Sequence, residues 1–114
     1  MGIEKCSRCG FCKVNCPIFR VMLSETLSPR GKMILLKKEI MDEVFYICAL
    51  CKSCEENCPA EIKISEEIKK IREKLIKNKK ETEANKKMIE NIRKFGNPFG
   101  KIEEGKIPRE LYCC

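Results

Sequence analysis

The sequence contains no histidine, no tryptophan and no glutamine. Without histidine there can be no Rieske cluster, no histidine-ligated haem, no mixed cysteine–histidine zinc finger and no histidine general base. No apolar run approaches the length of about 18 residues that a transmembrane helix needs, so we expect no transmembrane segment. The first five residues lead directly into a cysteine, without the apolar region of a secretory signal. We therefore expect a cytoplasmic protein, in which ten thiols stay reduced, and this thiol content fits an anaerobe.

Cysteine, by contrast, is abundant and occurs in two copies of one spaced pattern. The first copy is Cys6-x2-Cys9-x2-Cys12-x3-Cys16-Pro17, and the second is Cys48-x2-Cys51-x2-Cys54-x3-Cys58-Pro59. Each copy matches the run of four cysteines and a proline that binds [4Fe–4S] clusters in bacterial-type ferredoxins. Two residues between cysteines let a tight loop present three sulfurs to one cluster, whereas the fourth cysteine points away from that loop. The pattern predicts two [4Fe–4S] clusters.

Zinc and disulfide bonds are the two alternatives for these cysteines. A four-cysteine zinc site needs only two Cys-x2-Cys pairs, so it would leave the remaining cysteines of each run unexplained. Ten cysteines in 114 residues is a content at which disulfide scaffolds are suspected. Such scaffolds are typical of secreted proteins, however, and they do not require a repeated spacing. Two clusters are the favoured interpretation, and zinc and disulfides stay open as alternatives.

The formal net charge of +7 overstates the basic character of the loaded protein. Eight thiolates and two cationic cluster cores bring the charge to roughly +3. The charge therefore gives no special support for nucleic-acid binding, and we expect no nucleic-acid partner. A mildly basic surface could still steer an acidic redox partner toward the protein.

The sequence before the first cysteine run argues against a strand, and the sequence after that run has a helical pattern. Only five residues precede Cys6, which leaves little room for the first strand of a β-type ferredoxin. Ser28 and Pro29 are typical of an N-cap and a first helical position, and apolar residues follow at helical spacing. This pattern predicts a helix from Pro29 to about Phe45 between the two cysteine loops. One or two helical turns are also expected after Pro17.

Two further helices are predicted after the second cysteine run. Ser65 is predicted to cap the first of them, which has an apolar stripe along one face. The second extends from about Thr82 to Phe95 and stops at Gly96, and residues 97–100 then form a turn. The predicted fold class is therefore all-α, with two cluster-binding loops that are joined by a helix and followed by two further helices.

Residues close to the cysteines are predicted to shape the surroundings of the clusters. Six apolar residues in or beside the runs are expected to form a dry shell that limits solvent access and tunes the reduction potential. These six are Phe11, Val14, Ile18, Ile47, Leu50 and Ile62. Gly10 is expected to let backbone N–H groups approach a cluster sulfur closely.

The sequence resembles the α-helical, two-cluster ferredoxin domain in the iron–sulfur subunits of heterodisulfide reductase, glycolate oxidase and anaerobic glycerol-3-phosphate dehydrogenase. More distantly, it is similar to the iron–sulfur subunits of succinate dehydrogenase and fumarate reductase. The resemblance covers about residues 3–100 and rests on the two cysteine runs, on Ser28-Pro29-Arg30-Gly31-Lys32 and on Asn97-Pro98-Phe99-Gly100. It implies that one cluster is bound by Cys6, Cys9, Cys12 and Cys58. It implies that the other cluster is bound by Cys48, Cys51, Cys54 and Cys16.

The resemblance also implies a division into a ferredoxin domain over residues 1–100 and an irregular C-terminal tail over residues 101–114. In larger relatives the corresponding turn leads into a cysteine-rich catalytic domain with a Cys-Cys-Gly motif, whereas this sequence ends at Cys113 and Cys114. These two cysteines either belong to a metal site completed by another subunit, or they are a truncated remnant of such a domain or a free tail. Adjacent cysteines without further ligands cannot build a metal site alone, so a remnant or a free tail is preferred.

The function implied by the resemblance is one-electron transfer through the two clusters. The electrons would pass from a flavin subunit or a ferredoxin to a catalytic oxidoreductase subunit, so the expected partners are a flavoprotein and a cysteine-rich catalytic subunit. No side chain has an evident role in acid–base or nucleophilic catalysis, and we do not expect the chain to be an enzyme by itself. Two alternatives stay open: a metal-braced binding or redox-sensor module, and the ferredoxin half of a split enzyme active on a disulfide or a hydroxy acid.

Overall fold

A computed structural model of the chain describes residues 2–109 and confirms the all-α fold. Its five helices are α1 (Pro17–Met22), α2 (Pro29–Lys37), α3 (Ser53–Glu56), α4 (Ile64–Lys77) and α5 (Glu83–Phe95). Short 3₁₀ turns cover Gly2–Lys5, Phe11–Lys13 and Glu43–Phe45, and no strand occurs within residues 2–109. In this part of the chain, no helix combines the length and the apolar character that crossing a membrane requires.

The chain divides into two compact units, with the boundary between Lys80 and Glu81. The first unit contains both cysteine runs and helices α1 to α4, and the second contains α5 and the residues that follow it. The domain boundary at residue 100, expected from the sequence, stays a prediction. Cys113 and Cys114 lie outside the described residues.

The hydrophobic core of the first unit is built mainly by α2, α4 and the Glu43–Phe45 turn. Its buried members are Met33, Leu36, Phe45, Tyr46, Ile62, Ile64, Ile68, Ile71 and Leu75. Five cysteines of the two runs pack against this core, namely Cys6, Cys12, Cys48, Cys54 and Cys58. A unit of this size buries only a small core. Packing of the core and retention of any group bound by the cysteines are therefore coupled.

Helix α2 begins as the sequence predicts. Ser28 is its N-cap, because the Ser28 Oγ accepts a hydrogen bond of 2.9 Å from the N–H of Gly31, and a proline occupies the first helical position. The Ser28 side chain is buried, and its hydroxyl also donates to the Glu25 carboxylate at 3.1 Å. These bonds fix the first turn of α2, which carries Arg30 and Lys32.

Helix α2 ends at Lys37, so the predicted extension to Phe45 is wrong. Glu39 has a left-handed backbone with φ of 57°, and the N–H of Ile40 turns back to the carbonyl of Leu35 at 3.0 Å. The break brings Phe45 fully into the core, whereas Ile40, which the helical spacing placed on the apolar face, is 45% exposed. Burial of the larger aromatic side chain is favoured over continuation of the helix.

Helix α4 begins at Ile64, so the predicted helix is confirmed, but the prediction of Ser65 as its cap is wrong. Ser65 lies inside the first turn, and its N–H donates to the Glu55 carboxylate at 2.7 Å. Glu55 belongs to α3, so a side chain ten residues earlier satisfies this backbone group. The Ser65 Oγ is buried and has no hydrogen-bond partner among the described residues.

In the second unit, α5 has both of the ends that the sequence predicts. The Thr82 Oγ1 accepts a hydrogen bond of 3.2 Å from the N–H of Asn85 at the start of the helix. Gly96 ends the helix with a left-handed backbone, at φ of 73°. The predicted turn follows, and in it the Asn97 Oδ1 accepts a hydrogen bond of 2.9 Å from the N–H of Phe99.

Candidate metal centre

The eight cysteines of the two runs are all free thiols. Cys16 is buried, Cys9 and Cys51 are exposed, and the other five are partly buried. None of the eight is joined to another in a disulfide bond. The structure therefore does not support the disulfide framework that the cysteine content left open.

These thiols line two pockets in the first unit, four in each. The first pocket is lined by Cys6, Cys9, Cys12 and Cys58. The second pocket is lined by Cys48, Cys51, Cys54 and Cys16. Each pocket thus brings together three cysteines of one run and the fourth cysteine of the other run. This is the grouping that the family resemblance implies.

The four thiols of each set line a common pocket. Within residues 2–109, no group of three or more cysteine, aspartate or glutamate side chains is placed to hold a single metal ion. A structural zinc site would need four ligands converging on one ion, with zinc–sulfur distances of about 2.3 Å. A cubane cluster instead needs each thiolate at a different iron. Four thiols in each of the two pockets suit two such clusters.

The two cysteine loops have the same backbone conformation at equivalent positions. The second residue after the first cysteine is left-handed in both loops, with φ of 62° at Arg8 and 54° at Leu50. The residue after the second cysteine is left-handed as well, with φ of 87° at Gly10 and 65° at Lys52. Such residues turn the chain sharply, so each loop curls around its pocket. The repeat in the sequence is therefore also a repeat in geometry.

Hydrogen-bond donors surround the exposed cysteine of each loop. The N–H of Phe11 lowers the pKa of the Cys9 thiol, and the N–H of Gly10 adds a smaller effect in the same direction. The hydroxyl of Ser53, followed by its N–H, lowers the pKa of the Cys51 thiol. These donors favour the thiolate over the thiol, and the thiolate is the form that binds metal.

The third cysteine of each run is held in surroundings that oppose a bare thiolate. Burial raises the pKa of Cys12 to about 11, and the neighbouring thiols Cys6 and Cys9 add to this rise. Burial likewise raises the pKa of Cys54 to about 12, with a further contribution from Cys48. A cationic cluster core would offset both the burial and the repulsion, and its binding would release these protons. The donor set thus fits an iron–sulfur cluster.

The fourth cysteine of each run lies next to a helix. Cys16 is the N-cap of α1, and its Sγ accepts a hydrogen bond of 3.4 Å from the N–H of Phe19. Cys58 follows α3, and its N–H donates to the carbonyl of Glu55 at 3.1 Å. In both runs a proline comes next, and its ring restricts the backbone of the preceding cysteine to extended conformations. Each fourth cysteine therefore lies away from the curl of its own loop.

The predicted apolar shell is only partly correct. Ile18 and Leu50 line the second pocket, and Ile62 lines the first. Phe11 and Val14 are 60% and 61% exposed and line neither of the two pockets, so their prediction as shell residues is wrong. The prediction is wrong for Ile47 as well, which is also exposed and absent from both linings.

Helical residues that were not predicted as shell provide the rest of the apolar lining. Met33 of α2 and Ile64 of α4 line the first pocket, and Ile68 of α4 lines the second. All three belong to the hydrophobic core. Their helical spacing identifies them as buried, but only the packing of α2 and α4 places them against the cysteines.

Among the residues that line the pockets are three polar ones that were not predicted to lie at the clusters. Arg30 lines the first pocket, and Lys32 and Ser65 line the second. Arg30 and Lys32 lie in the segment that supports the family resemblance, so that segment was the available signal. Ser65 has no such signal, because its position depends on how α4 packs. Its hydroxyl is buried and has no partner among the described residues, so it can donate a hydrogen bond to a bound cluster.

Comparison with known proteins agrees with this geometry. The model of the 4Fe–4S dicluster domain family matches residues 2–62, which include all eight cysteines of the two runs. An iron–sulfur subunit of the CoB–CoM heterodisulfide reductase of Methanocaldococcus jannaschii is 30% identical over 98 residues, covering 84% of this chain and 52% of that protein. A probable glycolate oxidase iron–sulfur subunit of Bacillus subtilis is 35% identical over 68 residues, covering 51% of this chain and 15% of that protein.

A further relative is a subunit of the H2:CoB–CoM heterodisulfide,ferredoxin reductase of Methanothermobacter thermautotrophicus. It is 33% identical over 72 residues, which are 60% of this chain and 38% of that protein. The chain thus spans about half or less of the length of these relatives. The resemblance to the iron–sulfur subunits of heterodisulfide reductase and glycolate oxidase is confirmed. Two [4Fe–4S] clusters are the cofactors of this domain, and the chain belongs to the 4Fe–4S dicluster domain family.

Proposed function

We propose that the chain is the electron-transfer part of a larger oxidoreductase and relays single electrons through its two clusters. The observation that carries the proposal is the pair of cysteine-lined pockets, each built from both runs. In such a protein the clusters supply the redox chemistry. The residues bind the clusters, position them and set their electrostatic surroundings.

The ligand sets in this proposal are crossed. Cys6, Cys9, Cys12 and Cys58 bind the first cluster. Cys48, Cys51, Cys54 and Cys16 bind the second cluster. The lining of the two pockets supports both sets. Crossed ligation joins the two loops through the clusters, so we expect loss of one cluster to loosen the ligand set of the other.

Close coupling between the two pockets also supports a relay. Cys12 of the first pocket contributes to the raised pKa of Cys54 in the second pocket. The Phe11–Lys13 turn, which contains Cys12, packs against α3, which contains Cys54. Two clusters held by these elements are neighbours, as transfer from one to the other requires.

Each pocket also has a side that reaches the protein surface. Cys9 of the first pocket and Cys51 of the second are exposed, whereas Cys16 between the two loops is buried. An electron can therefore enter at one cluster and leave at the other without crossing the core of the unit. This is the layout of a carrier that contacts both a donor and an acceptor.

The partners in this proposal are a flavoprotein or a ferredoxin as donor and a cysteine-rich catalytic subunit as acceptor. The identities of the relatives support this assignment, since they are subunits of heterodisulfide reductases and an iron–sulfur subunit of a glycolate oxidase. A cytoplasmic location is part of the proposal, because eight cluster-binding thiols are kept reduced there.

Anaerobic reductive titration of the reconstituted chain tests the electron-transfer proposal. We expect about eight iron and eight sulfide per chain, together with paramagnetic resonance signals of reduced [4Fe–4S] clusters. The chain should take up two electrons, one for each cluster. Bound zinc without electron uptake would refute the proposal and would indicate a metal-braced binding module instead.

Purification from the native organism under anaerobic conditions tests the partners. We expect a flavoprotein, a cysteine-rich subunit or both to copurify, and the clusters to be reduced when the donor is supplied with its own reductant. Catalytic turnover should appear only when the cysteine-rich subunit is present. Turnover by the chain alone would contradict the assignment as a carrier.

A further inference from the structure

The second pocket contains a buried positive charge that no carboxylate balances. The Lys32 side chain is only 2% exposed, although it carries an ammonium group. Its Nζ donates to the carbonyl of Leu27 and, at 2.8 Å, to the carbonyl of Ile47. Among residues 2–109, no ion pair includes Lys32. Lys32 lines this pocket together with its four cysteines, so thiolates that bind a cluster there would face its positive charge.

The second pocket also contains a hydroxyl group in need of an acceptor. Ser65 is 2% exposed and lines this pocket, and its Oγ has no hydrogen-bond partner within the described part of the chain. A buried hydroxyl left unpaired destabilises the folded protein. A sulfur atom of a cluster in this pocket would accept the bond and remove that destabilisation. Ser65 and Lys32 are thus two independent groups that favour negative charge at the same place.

The first pocket offers a weaker positive field. Arg30 lines it, but the Arg30 Nε is 2.7 Å from the Glu25 carboxylate, which balances its charge. The Arg30 side chain is also 29% exposed, and Arg8, which lines the same pocket, is exposed as well. Solvent and the carboxylate therefore screen both guanidinium groups.

We propose that Lys32 and Ser65 raise the reduction potential of the second cluster above that of the first, so that the second cluster is reduced first. The inference rests on the ligand sets proposed above. Reduction adds one electron to the cluster core, makes the cluster one unit more negative, and forms or breaks no bond. A buried ammonium and a hydroxyl donor both stabilise the reduced state more than the oxidised state.

Redox titration of the two-cluster protein, followed by paramagnetic resonance, tests the proposal in four variants. Lys32→Gln removes the charge but keeps a hydrogen-bond donor, Lys32→Arg keeps the charge, and Ser65→Ala removes the hydroxyl. Lys38→Gln is the matched control, since it removes an equal charge from an exposed lysine just after α2. Dithionite serves as the one-electron donor in all titrations.

We expect Lys32→Gln to lower the potential of the step that occurs first, and to leave the other step unchanged. The ratio of reduced to oxidised second cluster at a fixed potential should fall by about tenfold, which is 59 mV for a one-electron couple. Ser65→Ala should shift the same step in the same direction by severalfold. Lys32→Arg should stay close to wild type, and Lys38→Gln should shift neither step.

Several outcomes would overturn the proposal. One is that Lys32→Gln and Ser65→Ala retain both clusters with unchanged reduction potentials. Another is that they shift only the step that occurs second. A third is that they shift the potentials no more than Lys38→Gln does. If Lys32→Gln cannot hold the second cluster, Ser65→Ala decides, because its small change preserves the packing. Failure of the wild-type chain to take up two electrons would refute the electron-transfer proposal itself, and it is measured before the variants.

Discussion

Gly31→Ala tests the packing that positions both pockets. Gly31 lies in α2 between Arg30, which lines the first pocket, and Lys32, which lines the second. A Cβ at Gly31 would stand 1.9 Å from the backbone oxygen of Glu25 and 2.8 Å from its carbonyl carbon. Both atoms belong to the backbone, so a rotation of a side chain cannot relieve the clash.

The size of the effect follows from what must move. The Glu25 carbonyl accepts a hydrogen bond from the N–H of Ser28 at 3.0 Å, and the Glu25 carboxylate accepts one from the Ser28 hydroxyl at 3.1 Å. Displacing this segment weakens two or three hydrogen bonds of about 1 kcal/mol each and adds overpacking of about 1–3 kcal/mol. Alanine regains about 1 kcal/mol of helix propensity. The net loss in the free energy of unfolding is therefore about 2–5 kcal/mol.

Thermal unfolding under anaerobic conditions measures this loss, with helical circular dichroism and the visible absorbance of the clusters recorded together. For a unit of this size, a loss of about 3 kcal/mol lowers the midpoint by roughly 12–24 °C. Gly2→Ala is the matched control, because its Cβ would meet only ordinary contacts, the nearest 3.5 Å away at Ile62. We expect that variant to unfold near the wild-type temperature. A Gly31→Ala protein that keeps both clusters and unfolds within a few degrees of wild type would refute the reasoning.

Two further substitutions address the segment before the second cysteine loop and the second unit. The Arg72 guanidinium donates to the carbonyls of Phe45, Tyr46 and Cys48 at 2.9, 3.0 and 2.8 Å. We therefore expect Arg72→Met to lower the free energy of unfolding by about 2–4 kcal/mol and to speed loss of the second cluster to a chelator. The exposed Lys74→Met serves as control, and equal rates of cluster loss in the two variants would contradict the role of these bonds. Thr82→Ala should cost α5 about 1 kcal/mol and speed hydrogen exchange in its first turn, whereas Thr82→Ser should not. Unchanged exchange in Thr82→Ala would show that the cap is not needed.

The features that the sequence predicts well are those decided by neighbouring residues. The cap at Ser28, the start of α5 near Thr82 and its stop at Gly96 each depend on a few consecutive residues, and the structure has all three. The spacing of the cysteines is equally local, since it describes how one short loop can surround one cluster. Prediction of two clusters from the two runs therefore did not require the fold.

The features that the sequence predicts poorly depend on contacts between distant segments. Helix α2 ends early because burying Phe45 in the core outweighs continuing an amphipathic pattern. Ser65 is not the cap of α4 because the Glu55 carboxylate reaches its N–H from α3. Phe11 lies next to Cys12 in sequence yet is directed to solvent, since the turn sets the direction of its side chain. Adjacency to a ligand in sequence thus did not amount to contact with the cluster.

Crossed ligation is tested most directly by Cys16→Ser, with paramagnetic resonance of the reduced protein and iron analysis as readouts. Two reference variants assign the signals: Cys51→Ser removes a second-loop ligand, and Cys9→Ser removes a first-loop ligand. We predict that Cys16→Ser damages the cluster held by Cys48, Cys51 and Cys54, so that its remaining spectrum matches that of Cys51→Ser. A remaining spectrum that instead matches Cys9→Ser would mean that each cysteine run holds its own cluster, and would contradict the crossed arrangement.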